Sequence, residues 1–238
     1  MIDRAQAEAL ARRGGEVGVV LARVGAADPV HGDLDADELA RLHRLRRPAD
    51  RQRFAVAHTL LRSVAGAATG RPASEVRWLT RCAVCGGPHG RPAMAPVRAG
   101  APVPLLSLSY AGDLAVVALS WEGQVGVDVE SAAGARAHDL SGVVDGDDPA
   151  LTWVRTEAVL KATGDGMRVD PGDLAIRGGP GRPRLVAWRG RPLPDVRLVD
   201  LEPGDGYVGA LALLPAPGAP DPRVVVHRAG AAQRPGGA

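Results

Sequence analysis

Apolar positions along the chain follow two different rhythms, and the changes between them mark the elements. Glu16–Val24 is an apolar run of strand length, and Asp33–Arg47 predicts a helix that ends before Pro48. A second helix is predicted from about Asp50 to Ala65, with Asp50 as its cap. In it Phe54, Ala57, Leu61 and Ala65 recur at helical spacing, as do Val56, Leu60 and Val64. An apolar face that wide belongs in a core, and Arg53 reads from the pattern alone as a solvated edge residue. Pro104–Tyr110, Leu114–Ser120 and Gln124–Glu130 read as strands. The short turns Ala111–Asp113 and Trp121–Gly123 between them predict an antiparallel meander.

Ser131–Asp148 reads as a loop with little regular structure. Asp148 and Pro149 then supply a cap and a first-turn proline for a helix to about Thr163, stopped by Gly164. Leu174–Val226 alternates short Val/Leu runs with Gly/Pro turns, as antiparallel strands do, while Pro215–Pro222 and Ala229–Ala238 read as loose. Helices with strands therefore occur twice over. The expected fold is α+β, two similar halves with antiparallel sheets packed on helices in a pseudo-twofold arrangement. The halves divide near residue 120, giving 1–119 and 120–238.

Composition narrows the function classes. A net charge of +2 gives no reason to expect nucleic acid, and no apolar run approaches the ~18 residues of a membrane span. The first ten residues hold no apolar stretch long enough for a signal peptide, so the chain reads as cytoplasmic. Twenty-eight of the 29 basic residues are Arg, and the remaining one is Lys161. This bias, with abundant Ala, Gly and Pro, points to a GC-rich bacterial genome. It also singles out one position where a compact ammonium stands instead of a planar guanidinium. Cys82 and Cys85, with His89 following, make half of a zinc site. A closed site needs four ligands, and no second Cys pair exists, so the segment reads as a turn carrying two thiols.

Two acidic segments remain. Along Val125–Glu130 side chains alternate, so Gly126, Asp128 and Glu130 share one strand face, with the two carboxylates about 7 Å apart. Such a pair is either a solvent-facing strand edge or a seat for a hard cation such as Mg²⁺. Trp153, Glu157 and Lys161 fall at i, i+4 and i+8 on one helix stripe. Glu157 and Lys161 are either an ordinary helix ion pair or part of a larger constellation. Combined, the segments offer three carboxylates and a lysine, which suits a diphosphate: metal to clamp it, a carboxylate as base, an ammonium for the leaving group.

Gly126-Val127-Asp128-Val129-Glu130 followed by Trp153-x₃-Glu157-Ala158-x₂-Lys161 resembles the 4'-phosphopantetheinyl transferase superfamily. Asp50-Arg51-Gln52-Arg53-Phe54, Leu60-Leu61-Arg62, Gly90-Arg91-Pro92 and Leu108–Gly112 match in the same order. Chain length and the two halves resemble the long, monomeric, surfactin-synthetase-activator type. The resemblance implies transfer of 4'-phosphopantetheine from coenzyme A to a serine of an acyl or peptidyl carrier protein, the holo-[carrier protein] synthase reaction, with release of 3',5'-ADP. It implies Asp128, Glu130 and Glu157 as ligands of Mg²⁺, or Mn²⁺, on the pyrophosphate. Glu157 would take the serine proton and Lys161 would stabilise the leaving group. Arg53, Gly90, Arg91, Ser109 and Tyr110 would line the nucleotide and phosphate pocket. The sequence departs from that family where Tyr110 replaces a usual His, where Thr156 replaces a usual Lys, and in a shorter segment between Glu130 and Trp153. Two other readings stay open on residues alone: another magnesium-dependent phosphate-ester or diphosphate enzyme, and a zinc- and Arg-rich adaptor.

Overall fold

The computed structural model describes residues 2–11, 14–25, 31–79, 93–137, 148–216, 218 and 222–229. It is a mixed α+β fold. The first sheet has the order β11–β1–β5–β4, formed by β1 (Glu16–Arg23), β4 (Leu105–Ala111), β5 (Leu114–Ser120) and β11 (Arg223–Arg228). The second has the order β6–β10–β9, from β6 (Gly123–Ser131), β9 (Arg197–Leu201) and β10 (Tyr207–Pro215). Two small antiparallel pairs flank them: β2 (Trp78–Leu79) with β3 (Ala93–Met94), and β7 (Leu174–Arg177) with β8 (Arg184–Trp188).

Strand alternation turns these sheets into layers. Val17, Val19, Leu21, Leu114, Val116 and Ala118 of the first sheet pack on Val125, Val127, Val129, Leu211 and Leu213 of the second. On the outer face of the first sheet, Val20, Ala115, Val117 and Leu119 receive Ala57, Leu61, Val64 and Ala65 of helix α3 (Pro48–Thr69). On the outer face of the second, Ala210 and Ala212 receive Val154, Ala158 and Ala162 of helix α5 (Pro149–Thr163). The order is helix, sheet, sheet, helix. Helix α1 (Arg4–Leu10) places Leu10 in the α3 layer, α2 (Ala36–Arg44) packs on α3, and α4 (Ala132–Ala137) follows β6.

Several expectations are corrected. Helix α3 starts at Pro48 with Arg47 as its N-cap residue, so Asp50 lies inside the first turn instead of capping it. A proline at the first helical position needs no amide partner, and this sets the start. The predicted meander is interrupted. β4 and β5 pair as an antiparallel hairpin, but β6 leaves that sheet and pairs with β10. β11 runs parallel to β1, from Glu16 opposite Arg223 to Leu21 opposite Arg228, and so returns the end of the chain to the first sheet. Ser131–Asp148, expected to hold little regular structure, opens with the short helix α4, and 138–147 lie outside the described residues.

Helix α5 matches its prediction. The Asp148 carboxylate accepts from Leu151 N at 3.0 Å, Pro149 follows, and Gly164 ends the helix at φ +78°. How closely α5 lies on the sheet is fixed by a glycine. A Cβ at Gly126 would stand 2.0 Å from Ala158 O and 2.4 Å from Ala162 N. No other residue fits there, and the absence of a side chain lets α5 settle onto the face that carries Asp128.

Candidate active site

The site is built where β4, β6 and α5 meet. Asp128 is buried at 7% exposure on the β6 face turned toward α5. Its Oδ1 accepts two hydrogen bonds, from Ser109 Oγ at 2.7 Å and from Lys161 Nζ at 2.6 Å. Lys161 Nζ also donates to Val127 O at 3.1 Å. The lysine predicted to lie one turn beyond Glu157 on the same stripe therefore reaches across to the acidic strand. Both predicted segments thus meet in one place.

Glu157 sits one helical turn before Lys161 and is half-buried. Burial raises its carboxyl above the ordinary glutamate range; the charge of Asp128 raises it further, and Lys161 offsets only part. Two neighbouring carboxylates with one ammonium leave an excess of negative charge. An all-oxygen donor set with that excess suits a hard divalent cation. Glu130, also half-buried, is turned to the strand end, where its Oε1 accepts from Ser131 N at 2.6 Å. Its carboxylate stands at the entrance to α4, and a Cβ on Gly134 would lie 2.5 Å from Oε1. Among the described residues no group of three or more His, Cys, Asp or Glu side chains, Asp128, Glu130 and Glu157 included, is gathered closely enough to hold a metal ion by itself. Asp128 and Glu157 lie near enough for their charges to interact, and Glu130 shares the β6 face of Asp128.

The other predicted residues occupy the far end of β4. Ser109 is buried, and Tyr110, next along the strand, is exposed on the opposite side. Arg53, at the start of α3, donates from Nε to Gly112 O at 2.7 Å and from Nη1 to Asp50 at 3.3 Å. It is held against the turn that follows Tyr110 and is not a freely solvated edge residue. Gly90 and Arg91 lie outside the described residues, as do Cys82, Cys85 and His89. Thr156, where the family resemblance places a lysine, is fully buried, and among the described residues its hydroxyl has no hydrogen-bond partner.

Two features escaped the sequence reading. The β4–β5 turn is pinned from the second sheet by Tyr207 of β10. The Tyr207 hydroxyl donates to the Asp113 carboxylate and accepts from Asp113 N at 2.9 Å, while Arg23 pairs with Asp113 at 2.7 Å. These bonds hold the Asp113 carboxyl below its ordinary range. Gly112, at φ +54°, is required there because a Cβ would meet the Tyr207 hydroxyl at 2.2 Å. The second feature is the serine pair of β4. Val127 N donates to Ser107 Oγ at 3.0 Å and Val129 N to Ser109 Oγ at 3.2 Å. These hydroxyls join the edges of the two sheets. The Ser-x-Ser spacing, with both residues on one strand face, is the signal that could have found them.

No protein-family model matches the chain. The site defines a class by its chemistry: a buried and a half-buried carboxylate beside a lysine at a strand–helix junction. A curated protein, the 4'-phosphopantetheinyl transferase HetI of Nostoc sp., is similar to it, with 27% identity over 198 residues. That match spans 76% of this chain and 78% of the relative.

Proposed function

We propose that the chain transfers 4'-phosphopantetheine from coenzyme A to a serine of an acyl or peptidyl carrier protein, and that it belongs to the phosphopantetheinyl transferase superfamily, in its long, monomeric form. The observation that carries this reading is the convergence of Ser109, Asp128, Glu157 and Lys161 at one strand–helix junction. The likeness to HetI supports the same class of transfer. Other diphosphate chemistry has no comparable support.

Asp128, Glu157 and Glu130 would hold Mg²⁺, with Mn²⁺ able to replace it. Held there, such a cation would supply charge neutralisation of the pyrophosphate and polarisation of its oxygens. The chain's own residues do the rest. Glu157, its carboxyl raised by burial and by Asp128, has the basicity to take the proton of the carrier serine. The serine oxygen bonds to the β-phosphorus, the bridging P–O bond breaks, and 3',5'-ADP leaves with the electron pair. Lys161 stands one turn beyond Glu157 to balance charge on that leaving group. Arg53, with Gly90, Arg91 and Tyr110, takes the nucleotide phosphates, where a planar donor fork suits phosphate oxygens. Ser109 belongs to the wall of the phosphate pocket.

The exposed arginines of α2 and the start of α3, Arg41, Arg44, Arg47 and Arg51, suit an acidic carrier surface. No helix among the described residues is long and apolar enough to cross a membrane. A cytoplasmic setting fits substrates of this kind. The test is 3',5'-ADP release from coenzyme A in the presence of apo carrier, with Mg²⁺ and with a chelator. Release that needs both carrier and metal supports the reading; release without carrier would point to a hydrolase.

A further inference from the structure

Ser109 does more than wall the phosphate pocket, and its hydrogen bonds show how. A hydroxyl has one proton to donate. That of Ser109 goes to Asp128 Oδ1 at 2.7 Å, and its oxygen is fixed by Val129 N at 3.2 Å. The backbone of β6 thus orients the serine, and the serine orients the carboxylate of the same strand. Lys161 binds the same oxygen at 2.6 Å. Both contacts fall on Oδ1, so Oδ2 is the oxygen that Asp128 would offer to a cation. A serine held this way has no proton left for a phosphate oxygen.

We propose that Ser109 is a positioning residue for the metal-binding carboxylate of Asp128 and not a direct ligand of the coenzyme A phosphates. This rests on the functional reading above and refines it. Ser107 provides the comparison. It makes the matching bond to Val127 N at 3.0 Å, two residues back on the same strand face. Among the described residues it makes no hydrogen bond to a carboxylate. Both serines bridge the sheets, and among the described residues Ser109 is the one of the two that reaches a carboxylate.

Second-sphere partners of this kind set metal affinity, and their loss weakens it by about 10–100-fold. The experiment titrates Mn²⁺ into the full chain saturated with coenzyme A and follows the free-Mn²⁺ EPR signal. Ser109→Ala should bind Mn²⁺ about 10-fold more weakly, and Ser109→Thr, which keeps the hydroxyl, should restore affinity. Ser107→Ala should bind like the unaltered chain. The KM for coenzyme A of Ser109→Ala, measured at saturating metal, should stay unchanged. Unaltered Mn²⁺ affinity in Ser109→Ala would overturn the proposal, as would a raised KM for coenzyme A at saturating metal. Equal weakening in Ser107→Ala and Ser109→Ala would reduce the serine to a bridge between sheets and also overturn it. If the unaltered chain with coenzyme A takes up no Mn²⁺, the functional reading itself falls.

Discussion

Two buried acidic clusters lie on opposite sides of the molecule, and they are built to opposite ends. Between α2 and α3 Arg62, 0% exposed, is surrounded by acceptors: Glu38 at 2.6 Å, Asp35 at 2.5 Å and Val76 O at 2.8 Å. Glu38 also bonds His58 at 2.8 Å, and His58 stacks on Phe54 at 3.9 Å. Asp35 and Glu38 in addition form the capping box of α2. Burial works to raise the Glu38 carboxyl, but its bonds to His58 and to the Asp35 amide, with the charge of Arg62, hold it below the ordinary range. Between α5 and β6 Glu157 lies beside Asp128 and its carboxyl is raised. One cluster satisfies every charge it buries and staples α2 to α3. The other keeps a surplus of negative charge at the surface of a helix. The lesson is that a satisfied network marks structure, whereas an uncompensated one marks a place prepared for a ligand.

Glu157→Gln sets that contrast most sharply. It should lower transfer by at least about 10²–10⁴-fold, the usual worth of a general base, in a carrier-modification assay. A near-normal rate would remove Glu157 from the role of base. The same variant should not lose stability. A carboxyl whose pKa is raised on folding contributes stability below its unfolded pKa and loses that contribution as pH rises through the folded value. Glu157→Gln should therefore melt above the unaltered, metal-free chain at neutral pH, and the gap should close on acidification. Glu38, with its lowered pKa, behaves in the opposite way. Its contribution is present above the unfolded pKa and is lost as pH falls through the folded one. Glu38→Gln should melt lower at neutral pH, with the difference shrinking in acid. Thermal scans of both variants across pH check the opposed signs.

Arg62→Ala comes next. Removing one partner of a buried ion network costs about 3–5 kcal/mol because the remaining charges are left buried and unpaired. Denaturant unfolding should show that loss. Lys161→Arg keeps the charge but replaces a compact ammonium that bonds Asp128 Oδ1 and Val127 O. Transfer should fall about 10–100-fold, on the order of 1.4–2.8 kcal/mol, with little change in melting. Full activity there would make the single lysine an accident. Tyr207→Phe is the mildest. It removes the bonds to Asp113 and should cost about 1 kcal/mol in unfolding free energy.

What could be read from the sequence follows from what is local. Helix α5 was legible because Asp148, Pro149 and Gly164 are near-neighbour signals, and the shared face of Gly126, Asp128 and Glu130 follows from strand alternation alone. The departure of β6 from the first sheet was not legible, because a three-residue turn at Trp121–Gly123 looks like a hairpin whichever sheet receives the next strand. The parallel pairing of β11 with β1 joins residues near opposite ends of the chain, and no local pattern carries it. Within the candidate site, Asp128, Glu157 and Lys161 stood out by type and spacing. The link from Ser109 to Asp128 spans 19 residues and two sheets, so only the fold could reveal it. Gly126 was read as a member of the acidic face; its role is to let α5 approach.

The central claim is tested most directly on the product. Apo carrier proteins of the fatty-acid, polyketide and peptide-synthetase types are incubated with this chain, coenzyme A and Mg²⁺, and their intact masses are measured. The account predicts that at least one gains the mass of a single phosphopantetheine, and that replacing its acceptor serine by alanine abolishes the gain. No gain in any carrier would contradict it.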